Sequence, residues 1–368
     1  MENNKKILVY FGHPAQYLFL REAMRILIKK GFDVKIIIKT KDVLEDLVKS
    51  DGFEYKNILK NKRGNTKFSI IVSLLKRNLK LIPIILKFKP NLMISTDATI
   101  AQLGKLFNIQ RITITEDDYE IIKPLANVSY PLTNYILCPK ICSVGRFENK
   151  KIGYDGYMKL AYLHPSVFNF KKEIIEKYKI QDKFAIIRLA QLTAFHDKGI
   201  KGISYTFLDH IIKELVSKNI RPIISCEYEI DDEYKKYTLK INPSDIHHLL
   251  KEASILICDS QSMSVEASIL GTPSLRYSSF AGRISVLEEL EHKYKLTFAF
   301  QIGKENELIK KLNNILNINN FEDEFDKKKN IMLSDKINVT KFLVWFIENY
   351  PKSADEMLKD SKIQEQYK

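Results

Sequence analysis

The chain has 368 residues, of which 45% are hydrophobic and 28% are charged, and its formal net charge at pH 7 is +14. These proportions are ordinary for a globular protein, so they exclude a chain that is disordered throughout, and the length favours two domains. Because no stretch of about 18 uncharged apolar residues occurs, we expect no transmembrane helix.

The excess of positive charge favours anionic partners but does not choose among a phosphorylated substrate, an acidic phospholipid and nucleic acid. A genome that prefers Lys codons would also produce it. No DNA- or RNA-binding motif is recognised, so we expect no nucleic-acid partner. The start of the chain lacks the apolar region of a secretory signal, and the four cysteines are scattered, so we expect a reducing, cytoplasmic location. Cys138 and Cys142 form a CxxxC pair without a second pair to complete a zinc site, so we expect no metal.

The first half of the chain alternates predicted strands and helices. The strands are apolar runs of four to seven residues at Lys6–Phe11, Phe32–Ile38, Phe53–Ile58, Asn91–Ser95, Arg111–Thr115 and Asn134–Leu137. The helices show apolar residues at helical spacing over Tyr17–Lys30, Asp42–Val48, Phe68–Phe88 and Ile100–Leu106. Strands that are apolar throughout are typical of parallel sheets covered on both faces, so this half predicts a Rossmann-like domain.

The alternation stops around Gly153–Phe170, where we expect the link between domains, and then starts again. The second set of strands is predicted at Phe184–Leu189, Arg221–Ser225, Ile255–Cys258, Ser274–Tyr277 and, at an edge, Phe298–Gln301. Helices are predicted at Ile203–Val216, Pro243–Lys251, Met263–Leu270 and Leu287–His292, with further helices after them. The predicted domains are residues 1–165, residues 166–335, and a C-terminal helix and tail, 336–368, that can pack back on the first domain.

One segment of the second half has the features of an anion-binding turn. A buried strand ends at Asp259, small polar residues follow, and a helix is predicted to open at about Met263. Ligands bind at such turns, and a helix N-terminus with the hydroxyls of Ser260 and Ser262 suits a diphosphate. Glu266, expected on the first turn, can accept both ribose hydroxyls of a nucleotide. The same residues also fit a simple capped helix, with Ser262 as its N-cap.

Three groups of side chains in the first half are candidates for acid–base chemistry. His13 lies in the first strand-to-helix turn and can act as a general base, contact a sugar hydroxyl, or bond only to backbone. Glu116 and Asp117, followed by Asp118, come at the end of a strand, where mutual repulsion raises the pKa of a carboxyl group. These acids also fit a solvated helix cap. Asp97 is a weaker candidate of the same kind.

The run DSQSMSVEASILGTPSLR resembles the Asp-Ser-Gly-Gly…Glu-Ala…Leu-Gly-x-Pro…Arg signature of GT-B sugar-nucleotide enzymes. These include the hydrolysing UDP-N-acetylglucosamine 2-epimerases and the MurG-like glycosyltransferases. Residues 5–300 also resemble the DUF354 family, through His13-Pro14, Thr115-Glu116-Asp117, Gly153-Tyr154 and the run from Ala161 to Pro165. The resemblance implies an α/β GT-B fold, with two Rossmann-like domains that face each other across a cleft.

The resemblance also implies which residues hold a nucleotide sugar. Ser260, Ser262 and the backbone of Met263 would contact phosphate, and Glu266 would contact ribose, although Gln261 and Ser262 stand where many relatives have glycine. In GT-B proteins the loop after the first strand of the second domain faces the diphosphate. Three residues would therefore supply positive charge to the leaving group, namely Arg188, His196 and Lys198. Arg283, in a later loop, would reach the same site. His196 also fits an ordinary loop residue.

A basic stretch lies between Tyr55 and Thr96, where no Asp or Glu occurs. Its cations are Lys56, Lys60, Lys62, Arg63, Lys67, Lys76, Arg77, Lys80, Lys87 and Lys89. Apolar residues interleave with them at near-helical spacing, so the stretch can lie on an anionic membrane surface. The alternative is a helix whose apolar face packs on the sheet and whose lysines are merely solvated.

We therefore predict a metal-independent glycosyltransferase, without a cofactor, that uses a nucleotide-diphosphate sugar, in particular a UDP-sugar. Its acceptor would be a glycan or a lipid-linked glycan, in surface polysaccharide synthesis at the inner membrane face. His13, Glu116 or Asp117 would deprotonate the acceptor hydroxyl. The first alternative is a hydrolysing UDP-sugar 2-epimerase, although Gly12–Gln16 lacks the Arg and Glu of the Gly-Thr-Arg-Pro-Glu that those enzymes carry. The second is a non-catalytic nucleotide-sugar-binding protein.

Overall fold

The computed structural model describes residues 5–60, 67–189, 202–226 and 228–368. The chain divides into two compact units: Met1–Tyr162 with Lys336–Lys368, and Leu163–Asp335. Each unit is built on one parallel sheet with helices between successive strands, so the α/β class predicted from the sequence is confirmed. Within the described residues, no helix combines the length and the apolar character needed to cross a membrane.

The first unit contains a seven-stranded parallel sheet in the order β3-β2-β1-β4-β5-β6-β7. Its strands are β1 Lys6–Phe11, β2 Asp33–Lys39, β3 Tyr55–Leu59, β4 Leu92–Ser95, β5 Gln110–Ile114, β6 Tyr135–Pro139 and β7 Lys151–Tyr154. Its helices are α1 Pro14–Lys29, α2 Leu44–Ser50, α3 Lys67–Phe88, α4 Ala98–Leu106 and α5 Tyr119–Ser129, and a short α6, Leu160–Leu163, crosses into the second unit. Strand β4 is buried along its whole length and β1 is buried from Ile7 onwards, as strands covered on both faces are.

The second unit contains a five-stranded parallel sheet in the order β12-β11-β10-β8-β9. Its strands are β8 Phe184–Leu189, β9 Arg221–Cys226, β10 Ile255–Cys258, β11 Ser274–Tyr277 and β12 Thr297–Phe300. Its helices are α7 Lys172–Lys177, α8 Tyr205–Ser217, α9 Ile246–Glu252, α10 Gln261–Leu270, α11 Ser285–His292, α12 Glu305–Leu316 and α13 Phe321–Asp335. The last predicted strand does lie at an edge of the sheet.

Strand β7 and helix α5 of the first unit were not predicted, and neither was the short α6. Strand β7 lies inside the region interpreted as a linker, because it has only four residues and one of them is Gly153. The sequence pattern does not predict helix α5, because Pro124 lies inside it and the backbone at Ile122 is not helical. Both elements are held by neighbours rather than by their own sequence pattern, and β7 pairs with β6 along its full length.

The C-terminal segment, with α14 Val339–Glu348 and α15 Lys352–Lys359, packs on the first unit. The Ile337 N–H donates to the Asp155 carbonyl at 2.9 Å, and the Thr340 hydroxyl donates to the Ala161 carbonyl at 2.6 Å. The ring of Phe342 lies 5.9 Å from the ring of Tyr154 at the end of β7. Hydrogen bonds and buried aromatic contacts therefore attach this segment to the first unit.

We expect Gly156→Ala to destabilise the protein by about 1–3 kcal/mol, because overpacking of a well-packed core has that cost. A Cβ at Gly156 would lie 2.6 Å from Cγ2 of Val339, at the start of α14. Urea unfolding of Gly156→Ala, Val339→Ala and the double variant measures the effect. Since Val339→Ala removes the clashing methyl group, the double variant should lose less stability than the sum of the single losses. Strict additivity would contradict this contact.

Candidate functional site

The carboxyl edge of the second sheet is formed by the ends of β8, β10 and β11 and by the start of α10. The structure corrects the predicted start of that helix: it begins at Gln261, and Ser260 is its N-cap. The Ser260 hydroxyl accepts from the Met263 N–H at 3.4 Å. Ser262, which was predicted to be the cap, therefore lies within the first turn, where backbone N–H groups have no carbonyl partner one turn earlier.

Glu266 consequently lies on the second turn of α10 rather than on the first. Its side chain is buried, and its Oε1 lies 3.5 Å from Nε2 of His247 on α9. Sequence reasoning missed His247, and the only available signal was its place in the helix that precedes β10. A buried carboxylate next to an imidazole is held in a fixed position, so Glu266 offers a defined acceptor near the start of the helix.

The other predicted ligands of the second unit differ in their surroundings. Asp259 is buried, and a Cβ on Gly202 would clash with its carboxylate. The Arg188 guanidinium donates from Nη1 to the hydroxyl of Ser225 on β9, at 2.8 Å. Arg283 is exposed, with its guanidinium 5.3 Å from the ring centre of Phe280. His196 and Lys198 lie outside the described residues.

His13 is the N-cap of α1, and its Nδ1 accepts from the Ala15 N–H at 3.2 Å. The neutral ring therefore carries its proton on Nε2, which makes it a hydrogen-bond donor. Surrounding protein lowers the pKa of His13 to about 4; Asp42 opposes this shift, and the ammonium groups of Lys41 and Lys159 reinforce it. The residue is exposed to solvent, so a ligand can reach the ring. In this arrangement His13 fits a contact to a sugar hydroxyl or phosphate better than it fits a base.

Glu116, a predicted base, is held by two donors. Its carboxylate accepts from the Met158 N–H at 2.5 Å and forms a salt bridge with Lys159. Both side chains of the salt bridge are largely buried. Its own backbone carbonyl accepts from the Cys142 thiol at 3.0 Å. Sequence reasoning missed Lys159, although it lies within the Gly153–Pro165 region that carries part of the family resemblance.

The neighbouring acids divide by exposure. Asp118 is buried, and its Oδ1 accepts from the Ser143 N–H at 2.8 Å. Asp117 is exposed at the end of β5, and its N–H donates to the Thr115 hydroxyl at 3.2 Å. The three carboxylates therefore do not form one cluster open to solvent, and Asp117 is the one that a substrate can reach most directly.

Asp97 is a helix cap and an ion-pair partner. Its carboxylate accepts from the Thr99 N–H at 3.0 Å and lies 3.4 Å from Nε of the buried Arg77. Burial acts to raise the pKa of Asp97, but Arg77 and Lys39 outweigh it and hold the pKa below its ordinary value. A carboxylate with a lowered pKa is a weaker base, so these contacts favour a structural position for Asp97.

One group in the described part of the chain has the spacing of metal ligands: Glu288, Glu291 and His292 on α11. Both carboxylate oxygens of Glu291 already lie 3.1 Å from the Ala299 N–H that donates to them, and His292 Nε2 is 3.1 Å from Glu288. These contacts account for the cluster within the fold, so it supports no metal assignment.

The Lys159 ammonium lowers the pKa of His13, so Lys159→Met is expected to raise it. An NMR titration of the His13 ring, assigned by its loss in His13→Gln, measures the change. The wild-type pKa should lie below the ordinary value of 6.5. The variant Lys140→Met removes the same charge from an exposed place in the first unit and should have no effect. Since Lys159→Met leaves Glu116 buried without its cation, Glu116→Gln/Lys159→Met is titrated as well. An unchanged pKa in both would show that Lys159 does not act on His13.

The comparisons with known proteins agree on fold. The chain is similar to Staphylococcus aureus MnaA solved with UDP, at 13% identity and a TM-score of 0.69, over 97% of this chain and 98% of that one. It is similar to the UDP-GlcNAc 2-epimerase of Neisseria meningitidis, at 16% identity and a TM-score of 0.66, over 93% and 99%. A glycosyltransferase of kitacinnamycin gives 11% identity and a TM-score of 0.62, over 94% and 99%. No curated protein matches the sequence.

Identities this low show the fold alone, which is the GT-B arrangement of two parallel-sheet α/β units that the resemblance implied. A family model matches residues 9–345, which is most of the chain. The chain therefore belongs to the family described as "Protein of unknown function (DUF354)".

Proposed function

We propose that this protein is a metal-independent glycosyltransferase whose donor is a nucleotide-diphosphate sugar, in particular a UDP-sugar. The observation that carries the proposal is the start of α10, where Ser260 caps a helix at the carboxyl end of a buried parallel strand. The similar S. aureus protein, with the same fold over nearly its whole length, was solved with UDP. The cytoplasmic location and a part in surface glycan synthesis belong to the same proposal.

The donor diphosphate would lie at the N-terminus of α10. Backbone N–H groups of the first turn point out of the helix there and carry the positive end of its dipole. The hydroxyls of Ser260 and Ser262 and the guanidinium of Arg188 would add donors, and Glu266 would accept from the ribose. Stabilising the departing diphosphate in this way lowers the barrier to transfer, because negative charge develops there in the transition state.

In the first unit, we assign the base that deprotonates the acceptor hydroxyl to Asp117. Asp117 is an exposed residue, whereas Glu116 is largely buried and its carboxylate accepts from Lys159 and the Met158 N–H. His13, with its proton on Nε2, would donate to a hydroxyl or phosphate oxygen. Asp117 and His13 thus have different tasks in this proposal, and Glu116 has no direct part in proton transfer.

A hydrolysing UDP-sugar 2-epimerase is the second candidate, and a specific observation favours it. The solved UDP-GlcNAc 2-epimerase of N. meningitidis was bound to UDP-GlcNAc, and it is similar to this chain over 93% of the chain's length. Against it, the loop from Gly12 to Gln16 lacks the Arg and Glu that those enzymes carry after their first strand. Nucleotide-sugar binding without catalysis is the third candidate.

A panel of UDP-, GDP- and CMP-sugars separates the three candidates. Release of nucleotide only when an acceptor glycan is present supports transfer. Release together with a free 2-epimeric sugar, without acceptor, supports the epimerase and overturns the transferase. Binding without turnover under both conditions leaves the binding protein.

We expect Glu266→Ala to weaken UDP binding about tenfold or more, because the variant loses the hydrogen bonds that a carboxylate makes to the ribose. Isothermal calorimetry measures the dissociation constant. Glu252→Ala, an exposed glutamate at the end of α9, is the matched control and should bind UDP as the wild type does. Equal affinities for Glu266→Ala and wild type would remove the ribose assignment.

The membrane part of the proposal rests on helix α3. Three of its leucines are more than half exposed: Leu75 at 56%, Leu79 at 69% and Leu86 at 55%. Spacings of four and seven residues put them on one face of the helix. Lys76, Lys80 and Lys87, all exposed, lie beside that face. An exposed apolar face flanked by lysines fits an anionic bilayer surface.

The structure also narrows the basic stretch. Arg77, one of its predicted cations, is buried and pairs with Asp97, so it cannot contact lipid. Lys80 uses its ammonium to donate to the Ile58 carbonyl at 2.7 Å. Lys62 and Arg63 lie outside the described residues. The proposed surface is therefore the exposed face of α3 rather than the whole of residues 55–96.

We expect Leu75→Ser/Leu79→Ser/Leu86→Ser to lose most binding to vesicles that contain phosphatidylglycerol, measured by co-sedimentation at low salt. The leucines of the apolar face would be buried in the bilayer interface, and the lysines would be attracted to the anionic lipid headgroups. Salt screens that electrostatic attraction. The triple variant Leu106→Ser/Ile331→Ser/Leu358→Ser removes exposed apolar residues elsewhere and should bind as the wild type does. If the wild type fails to bind these vesicles, the membrane proposal is wrong.

A further inference from the structure

Among the residues that the structure describes, Arg276 is the largest side chain that is fully buried, with an exposure of 0%. It lies on β11, where its Cα is paired with Cys258 at the end of β10 on one side and with Ala299 of β12 on the other. Moving a charged group out of water costs several kcal/mol unless partners compensate it. The contacts of this guanidinium therefore need an explanation.

The guanidinium is only partly compensated. Its Nη1 donates to the side-chain oxygen of Gln261, but Nε and Nη2 have no hydrogen-bond partner among the described residues. Burial lowers the pKa of Arg276, while Cys258 and the carboxylates of Glu291 and Glu288 oppose that shift. Glu291 itself accepts from the Ala299 N–H. No carboxylate in the described part of the chain therefore hydrogen-bonds the buried cation.

Gln261 connects this cation to the start of α10. It is the first residue of that ten-residue helix and follows the Ser260 cap directly. Its side-chain amide accepts from Arg276 and donates to the Ser278 hydroxyl at 2.8 Å. Gln261 is partly exposed, whereas Arg276 and Ser278 are buried. A rotation of this one side chain would open the guanidinium towards the helix N-terminus.

We propose that Arg276 is a phosphate-binding residue of the donor site, and that the Gln261 amide occupies its Nη1 until a diphosphate takes that place. The guanidinium and the N-terminus of α10 would then bind the same anion. The guanidinium would use its planar set of N–H donors, and the helix would use its backbone N–H groups. This inference rests on the proposed function, since the anion is the diphosphate of the nucleotide sugar. It also explains why a glutamine is accommodated where many relatives have glycine.

The test compares dissociation constants for uridine, UMP, UDP and inorganic pyrophosphate, measured by calorimetry. Arg276→Gln is expected to weaken UDP and pyrophosphate about 10- to 100-fold, as the loss of charge-assisted hydrogen bonds does. Uridine, which has no phosphate, should bind equally to both forms, and a purely structural effect would weaken it as well. The matched control is Arg221→Gln, at an exposed position at the start of β9, which should change none of these values.

The second variant, Gln261→Ala, removes the amide that competes with the diphosphate for Arg276 Nη1. It leaves Arg276 itself unchanged. It should tighten UDP and pyrophosphate binding about threefold to tenfold, because one net hydrogen bond to Arg276 no longer has to be broken. Arg276→Lys keeps the positive charge but loses the planar N–H donors of the guanidinium. When Gln261→Ala is added to Arg276→Lys, it should have little effect on the two dissociation constants. If Arg276→Gln does not fold, the two Gln261→Ala measurements test the role of Arg276 in its place.

The outcomes separate the inference from the function on which it rests. If the wild type binds UDP, and neither Arg276→Gln nor Gln261→Ala changes that affinity, the inference is wrong and the proposed function stands. If the wild type binds pyrophosphate but not UDP, and Arg276→Gln abolishes that binding, the anion site is supported and the proposed donor is wrong. If the wild type binds neither, both are overturned.

Discussion

Parallel pairing of every strand is the constraint on which the rest of the structure depends. All register pairs in both sheets are parallel, so all strands of a sheet end at one edge. Each helix that follows a strand then begins near that edge and turns its unsatisfied N–H groups towards it. His13 at the start of α1, Asp97 at the start of α4 and Ser260 at the start of α10 all cap such helices. Two of the candidate ligand-binding residues, His13 and Ser260, therefore lie at helix starts on the carboxyl edge of their sheets.

The strands and most helices could be predicted because their signals are local. Runs such as Ile255–Cys258 are apolar at every position, and both ends of that strand were predicted correctly. The start of α10 was missed by two residues because Ser260 and Ser262 are equally good caps in the sequence, and only the end of β10 decides between them. Strand β7 could not be predicted, since a four-residue strand depends on its neighbour for stability.

The candidate site could be predicted only as residue types at strand ends. The pattern gives no means of knowing that Lys159 would reach Glu116, because the two are separated by two strands and a helix. The same limit applies to His247 beside Glu266 and to Arg276 behind Gln261. Long-range pairs of this kind change what a residue can do: Glu116 becomes a held acceptor, and His13 becomes a donor. Their contributions follow from contacts rather than from composition.

The return of the C-terminal segment to the first unit has a consequence for biosynthesis. The first unit is discontinuous in sequence, because Leu163–Asp335 is inserted between its two parts. During translation the second unit can collapse as soon as Asp335 leaves the ribosome, whereas the surface of the first unit that receives α14 stays uncovered until that helix emerges. The order of synthesis is therefore not the order of completion, and the unit that is made first is finished last.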